Sequence, residues 1–319
     1  MKTTYSVFSY NFLKSFIIHC RPYLMFVSGV AGLAGIALAD IPNFNSSIFW
    51  ISFIPLFLGY GFGQALTDTW QTDTDTISAP YRPLSKGLIS KRSVRIVSLT
   101  GLVFCSGLII YLNPWNIIFG CLSIIGLATY SYFKKNYWFI GPIYNAWIVA
   151  LLPIMGYLSI SGSELEVLLN LKLILVCSLS FIAYSSFVLI GYLKDITADR
   201  VTGYRTFPVV FGWTKTVWVG DIIVLISLVI ISILVETKIG IIMAVIATAM
   251  AISGQIFAHL VKVKIESNAT FPIVMSVRSF ILWHFAVILD NHLDWIYPMI
   301  LFYLVFELFL YFRPEKSQI

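Results

Sequence analysis

Charge is what this chain has least of. Asp, Glu, Lys and Arg make up 11% of its 319 residues, against about a quarter in an ordinary soluble domain, and that class is excluded. Cysteine is also sparse. Cys20, Cys105, Cys121 and Cys177 lie in or beside apolar runs without C-x-x-C spacing, so neither a disulfide framework nor a zinc site is indicated. No H-E-x-x-H, G-x-S-x-G or Walker sequence occurs, which leaves zinc hydrolysis, serine acyl transfer and P-loop chemistry without support. The basic excess, 21 Lys and Arg against 15 Asp and Glu, forms no stripe that could track phosphates, and no nucleic-acid partner is expected.

What the chain does have is apolar length. Apolar residues account for 59% of it and fall into runs of roughly the 20 residues that cross a bilayer. Unpaired backbone in hydrocarbon is too costly to tolerate, so each run is expected to be a helix. Ten candidates cover 22–39, 47–66, 94–112, 115–133, 139–160, 168–190, 216–235, 239–261, 271–289 and 295–312. The ninth is the weakest candidate, since it carries Arg278 and His284. The first has no small-residue cleavage site after it and reads as a retained span rather than a signal peptide. The expected fold is an all-α, polytopic transmembrane bundle of nine to ten helices, a single domain over 1–319.

The loops orient it. With the N-terminus inside, all Lys and Arg except Lys172, Lys238 and Arg278 fall on one side, while the opposite breaks, near Asp40, Asn113, Glu164, Glu166, Glu236, Asp290 and Asp294, are acidic or neutral. That is the asymmetry expected across a cell membrane, the inner one in a bacterium, with basic loops in the cytoplasm. Asp221, Arg278, His284 and Glu307 lie within spans, where ionisable groups pair or face the bundle interior. Arg278 is expected to meet Asp221 or Glu307, and His284 to be a hydrogen-bonded core histidine.

Two loops on the basic side are long, about 67–93 and 192–215, and both are acidic. The first holds Asp68, Asp73 and Asp75, with Gln71 between; the second holds Asp195 and Asp199, which share a helical face at i, i+4. Massed carboxylates repel one another unless a hard cation joins them, and Mg2+ combines one or two carboxylates with phosphate oxygens and water. Two such faces across a cavity would hold a pair of Mg2+ ions bridged by a diphosphate. Nearby Arg82, Lys86, Lys134, Lys135, Lys194 and Arg205 would neutralise the remaining charge.

These motifs resemble the UbiA superfamily of intramembrane prenyltransferases. Asp68 and Asp75 are in register with its N-D-x-x-D-x-x-x-D signature, followed by Pro80-Tyr81-Arg82-Pro83. Lys194-Asp195, Asp199, Gly203, Thr206, Pro208 and Val209 match its second signature. Tyr130 to Lys135, with Gly141 and Asn145, resemble its short basic loop. The sequence departs at Thr67, where the family has Asn, and at Gln71, where it has the second Asp, leaving the first metal site one carboxylate short.

The resemblance implies Mg2+-dependent ionisation of a prenyl diphosphate and transfer of the prenyl group to an aromatic or quinone-precursor acceptor, with release of pyrophosphate. It implies Asp68, Gln71, Asp73, Asp75, Asp195 and Asp199 at the metal, and Arg82, Lys134, Lys194 and Arg205 at the diphosphate. Tyr192 joins the catalytic aspartates as a ring beside the carbocation, where aromatic faces are stabilising. Tyr60, Trp70, Tyr130, Tyr132, Tyr144, Trp147 and Tyr184 are further ring candidates. Two alternatives stay open: a terpene cyclase of the same superfamily, in which the chain's own double bonds capture the cation, and a transporter, which weak internal repetition also suits.

Overall fold

The structure is a computed structural model that describes residues 4–39 and 46–313; Asp40 lies outside the described residues. Among these, thirteen α-helices and no strand occur. They are α1 (Tyr10–His19), α2 (Pro22–Leu38), α3 (Ser46–Asp68), α4 (Thr72–Ser78), α5 (Lys91–Leu112), α6 (Asn116–Asn136), α7 (Ile140–Ser161), α8 (Leu171–Gly191), α9 (Ile196–Val201), α10 (Phe207–Leu234), α11 (Lys238–Leu260), α12 (Thr270–Asn291) and α13 (Ile296–Tyr311). Side-chain caps start several of them: Ser9, Ser90, Asn170 and Thr237 each accept from a backbone N–H in the first turn, satisfying donors a helix cannot pair internally.

Among the described residues, nine helices are long and apolar enough to cross a membrane. This is an integral, multi-pass membrane protein. The first expected span is a finding of its own, because α2 has only 17 residues and reaches spanning length only together with α1. The two meet at a bend of 59°, the geometry of a broken span or a re-entrant segment.

The span that carries Arg278 and His284 is the most enclosed. Of the best apolar window in α12, 89% is buried, against 17% in α13. Protein rather than lipid surrounds α12, which packs on α11, α2 and α8, and protein can answer polar groups. His284 lies 2.8 Å from Ser180 Oγ and 2.7 Å from the Phe280 carbonyl. Arg278 donates two 2.7 Å bonds to Glu307, while Asp221 pairs with His259 at 2.7 Å. Arg278→Met strands Glu307 and is expected to cost about 2 kcal/mol; Arg278→Met/Glu307→Met should recover most of that in thermal unfolding. A loss undiminished in the double variant would assign the effect to packing.

Helices α2 and α7 approach each other closely. Gly35 faces the backbone of Pro153 and Gly156 faces the carbonyl of Gly32, each too near for a Cβ. Small residues let backbones touch where no hydrophobic drive exists between helices in lipid. This contact anchors the wall behind the site.

Candidate functional site

The first acidic loop is not a continued helix. Helix α3 stops at Asp68, a turn follows, and α4 starts at Thr72. Asp68 and Asp75 converge through a guanidinium instead: Arg82 Nη1 lies 2.7 Å from Asp75 Oδ2 and 3.3 Å from Asp68 Oδ2. Asp68 is also gripped from the other side. Arg21 Nη2 donates to both of its oxygens, at 2.8 and 2.6 Å, and Gln64 Nε2 donates to Oδ1 at 2.9 Å. His19 Nε2 stands 3.7 Å away. Arg21, His19 and Gln64 escaped the sequence reading. The available signal was Arg21-Pro22 at the mouth of the first apolar run, the same dipeptide as Arg82-Pro83.

The second loop divides its carboxylates. Asp195 caps α9 at φ −113°, ψ 9°, outside helical geometry, so the shared face expected at i, i+4 is split. Asp195 lines a charged cavity. Asp199 is fully buried and accepts from Thr74 Oγ1 at 3.2 Å and Thr206 Oγ1 at 3.1 Å, tying α9 to α4. Asp73 sits exposed at the rim with Lys135 at 3.1 Å and Tyr204 at 3.2 Å. Arg205 is exposed, and its backbone N–H donates to the Lys135 carbonyl. Neither Asp73, Asp199 nor Arg205 lines the charged cavity.

Lys134 joins the two loops. Its ammonium donates to Gln71 Oε1 at 3.0 Å, lies 3.8 Å from Asp199, and sits 5.0 and 5.2 Å from the ring centres of Tyr192 and Tyr204. Gln71 Nε2 in turn donates to Ser131 Oγ at 3.1 Å. Burial sets the protonation balance around this cluster. It pushes the Asp75 carboxyl up to about 6, against the pull of Arg82, and raises Asp199 against the pull of Lys134. At exposed Asp73 the smaller desolvation is outweighed by Lys135 and the Thr74 N–H, and its carboxyl falls below the usual range. The Arg82 guanidinium, despite burial, is held charged by Asp75 and Asp68.

Two cavities meet here. The charged one has a volume of about 100 Å³ and is lined by residues that include Arg21, Asp68, Gln71, Asp75, Arg82, Lys134, Tyr192, Lys194 and Asp195. The other, about 90 Å³, lies between apolar residues such as Leu56, Leu102, Ile109, Leu127 and Met155 and has no charged residue in its wall. Tyr60, Gln64, Tyr130, Asn145 and Tyr184 line both. Tyr192 closes the junction through a 2.7 Å bond to Tyr130. Trp70, Tyr132, Tyr144 and Trp147 line neither cavity; Tyr144 is stacked on Phe133 and bonded to Thr129.

Among the described residues no group of three or more His, Cys, Asp or Glu is gathered tightly enough to hold a metal alone. Carboxylates of Asp68, Asp75 and Asp195 nonetheless face one cavity, and hard oxygen donors of that kind suit Mg2+, which completes its shell with substrate and water.

Residues 27–285 match the sequence profile of the UbiA prenyltransferase family. The chain belongs to that family. It is a prenyltransferase of the UbiA type, which removes the transporter reading. Similar curated proteins include digeranylgeranylglyceryl phosphate synthase of Thermococcus kodakarensis, 24% identical over 220 residues, covering 68% of this chain and 76% of that protein. The same-named enzyme of Methanococcus aeolicus is 31% identical over 176 residues, covering 53% and 59%. A UbiA homologue from Archaeoglobus fulgidus solved with GPP and Mg2+ shares the fold at TM-score 0.61 and 17% identity, over 86% of this chain and 99% of that one.

Proposed function

We propose that this protein ionises a long-chain prenyl diphosphate and transfers the prenyl group to a lipophilic acceptor, releasing pyrophosphate, with Mg2+ as cofactor. The carrying observation is the joined pair of cavities. A charged chamber that shares a wall with an uncharged apolar one fits a molecule with a diphosphate head and a hydrocarbon tail, and the shared tyrosines Tyr60, Tyr130 and Tyr184 fall where the two parts would meet.

In this reading Arg21, Arg82, Lys134 and Lys194 hold the diphosphate, and Arg82 and Lys134 are themselves fixed by Asp75 and Gln71. Asp75 and Asp195 would hold Mg2+, which when bound supplies charge neutralisation to the leaving group. The C1–O bond of the prenyl diphosphate breaks with its electron pair going to pyrophosphate. Tyr60, Tyr130, Tyr184 and Tyr192 present ring faces to the resulting allylic cation, and the apolar walls keep water from it. The acceptor then forms a bond to C1 and gives up a proton. In this reading the acidic end of the bundle faces the cytoplasm, the side that basic loops favour.

The relatives named for digeranylgeranylglyceryl phosphate favour an isoprenoid glyceryl phosphate as acceptor over an aromatic ring. The test is to incubate detergent- or nanodisc-held protein with Mg2+ and geranyl, farnesyl or geranylgeranyl diphosphate, adding no acceptor, a prenylated glyceryl phosphate, or a phenolic acid. Mass spectrometry should find product only with the glyceryl phosphate. Product with the phenolic acid would restore the aromatic reading, and cyclic hydrocarbon without acceptor would establish a cyclase.

A further inference from the structure

We propose that Arg21 is a built-in cation of the diphosphate site that takes the place of one of the two expected divalent ions, so that the enzyme works with a single ion per diphosphate. The inference rests on the prenyl diphosphate reading above and concerns how its charge is met.

The first argument is occupancy. A carboxylate offers about four lone-pair positions, and Asp68 receives two bonds from Arg21, one from Gln64 and one from Arg82. Its side chain is 3% exposed. An ion binding there would have to displace a guanidinium and leave it buried without its counter-charge, which is strongly unfavourable.

The second argument is the residue at 71. A neutral amide stands in the acidic loop, and both of its ends are spoken for, the oxygen by Lys134 and the nitrogen by Ser131. Gln71 therefore serves to hold a cation rather than to bind one from solution. Asp75 is the loop's remaining cavity carboxylate. By contrast Asp195, in the other loop, lines the cavity beside the buried Lys194 ammonium.

The third argument is the backbone. Arg21 is the only non-glycine residue with positive φ among the described residues, at φ 53°, ψ 69°. Such a conformation costs about 1–3 kcal/mol and persists where its surroundings enforce it. Here it lies at the α1–α2 bend and turns the side chain into the cavity. The Nε–H of Arg21 is buried and has no partner, so one donor remains for a diphosphate oxygen.

Charge balance agrees. Four cationic side chains and three carboxylates line the cavity, leaving one positive charge. An ionised diphosphate ester brings about three negative charges. One divalent ion closes the balance, whereas two would leave a buried surplus.

The test is equilibrium dialysis of the full chain in detergent with Mn2+ and inorganic pyrophosphate, with bound Mn2+ also read by electron paramagnetic resonance. One Mn2+ per bound pyrophosphate is expected. Arg21→Gln should weaken pyrophosphate binding at least about tenfold, a charge-assisted bond having been lost, and Arg21→Lys should restore part of it. Arg21→Gln/Gln71→Asp returns a carboxylate and removes the competing cation, and should bind two Mn2+. Two Mn2+ per pyrophosphate in the unaltered protein would overturn the single-ion inference while leaving the prenyl diphosphate reading intact; failure to bind pyrophosphate at all would overturn both. The unaltered protein decides the question even where a variant does not fold.

Discussion

Asp195→Asn and Asp68→Asn are both expected to lower prenyl transfer by at least about 100-fold, the scale of losing a group that stabilises charge in a transition state, but the second should weaken the fold far more. Asp195 lines the charged cavity as the cap of a six-residue helix, with the Lys194 ammonium as its cationic neighbour. Its neutralisation removes one cavity charge beside Lys194, so the melting temperature should move much less than with Asp68→Asn. Asp68 compensates Arg21 and Arg82, whose side chains are 11% and 10% exposed. Asn keeps the shape and one acceptor but abandons two buried guanidinium groups, a loss of about 3–5 kcal/mol. Thermal unfolding alongside a turnover assay separates the two. Equal melting temperatures for the two variants would refute the division of labour drawn here, and full activity in Asp195→Asn would remove that residue from the site.

Gly35→Val should prevent assembly of the bundle. A Cβ at Gly35 meets the backbone carbonyl group of Pro153, and one at Gly156 meets the carbonyl of Gly32. Backbone cannot rotate aside as a side chain does, so relief requires α2 and α7 to separate along their length. Overpacking in a core costs about 1–3 kcal/mol when side chains can adjust, and this contact lies beyond that range. The wall of the apolar cavity depends on it, since α7 contributes Ile148, Leu152 and Met155 to the lining. The control is Gly59→Val, where an added Cβ meets nothing. Size-exclusion chromatography after detergent extraction should recover the control as a monodisperse species and Gly35→Val as aggregate. Equal recovery would show that α2 and α7 tolerate separation.

The spans were legible because hydropathy and length are local properties, and a bilayer leaves few other solutions to such runs. Both acidic loops, their common side and the Arg82-Pro83 and Lys194-Asp195 motifs could likewise be read from residue order alone. The pairing of Arg278 was narrowed to two carboxylates and no further, since which of Glu307 and Asp221 it meets depends on helix rotation.

Sequence by itself determined that this is a helical membrane protein carrying two acidic clusters with basic neighbours. Tertiary structure decided what those residues do to one another. A helical repeat places Asp195 and Asp199 on one face, yet the cap geometry at Asp195 sends one carboxylate to the cavity and the other to Thr74 and Thr206. Gln71 looked like a weakened ligand in the linear motif and proves to be the partner of Lys134, 63 residues away. Arg21 reaches Asp68 across 47 residues from the α1–α2 bend. Periodicity reports which neighbours share a helix, and these contacts are made between elements, where distance along the chain carries no information about distance in space.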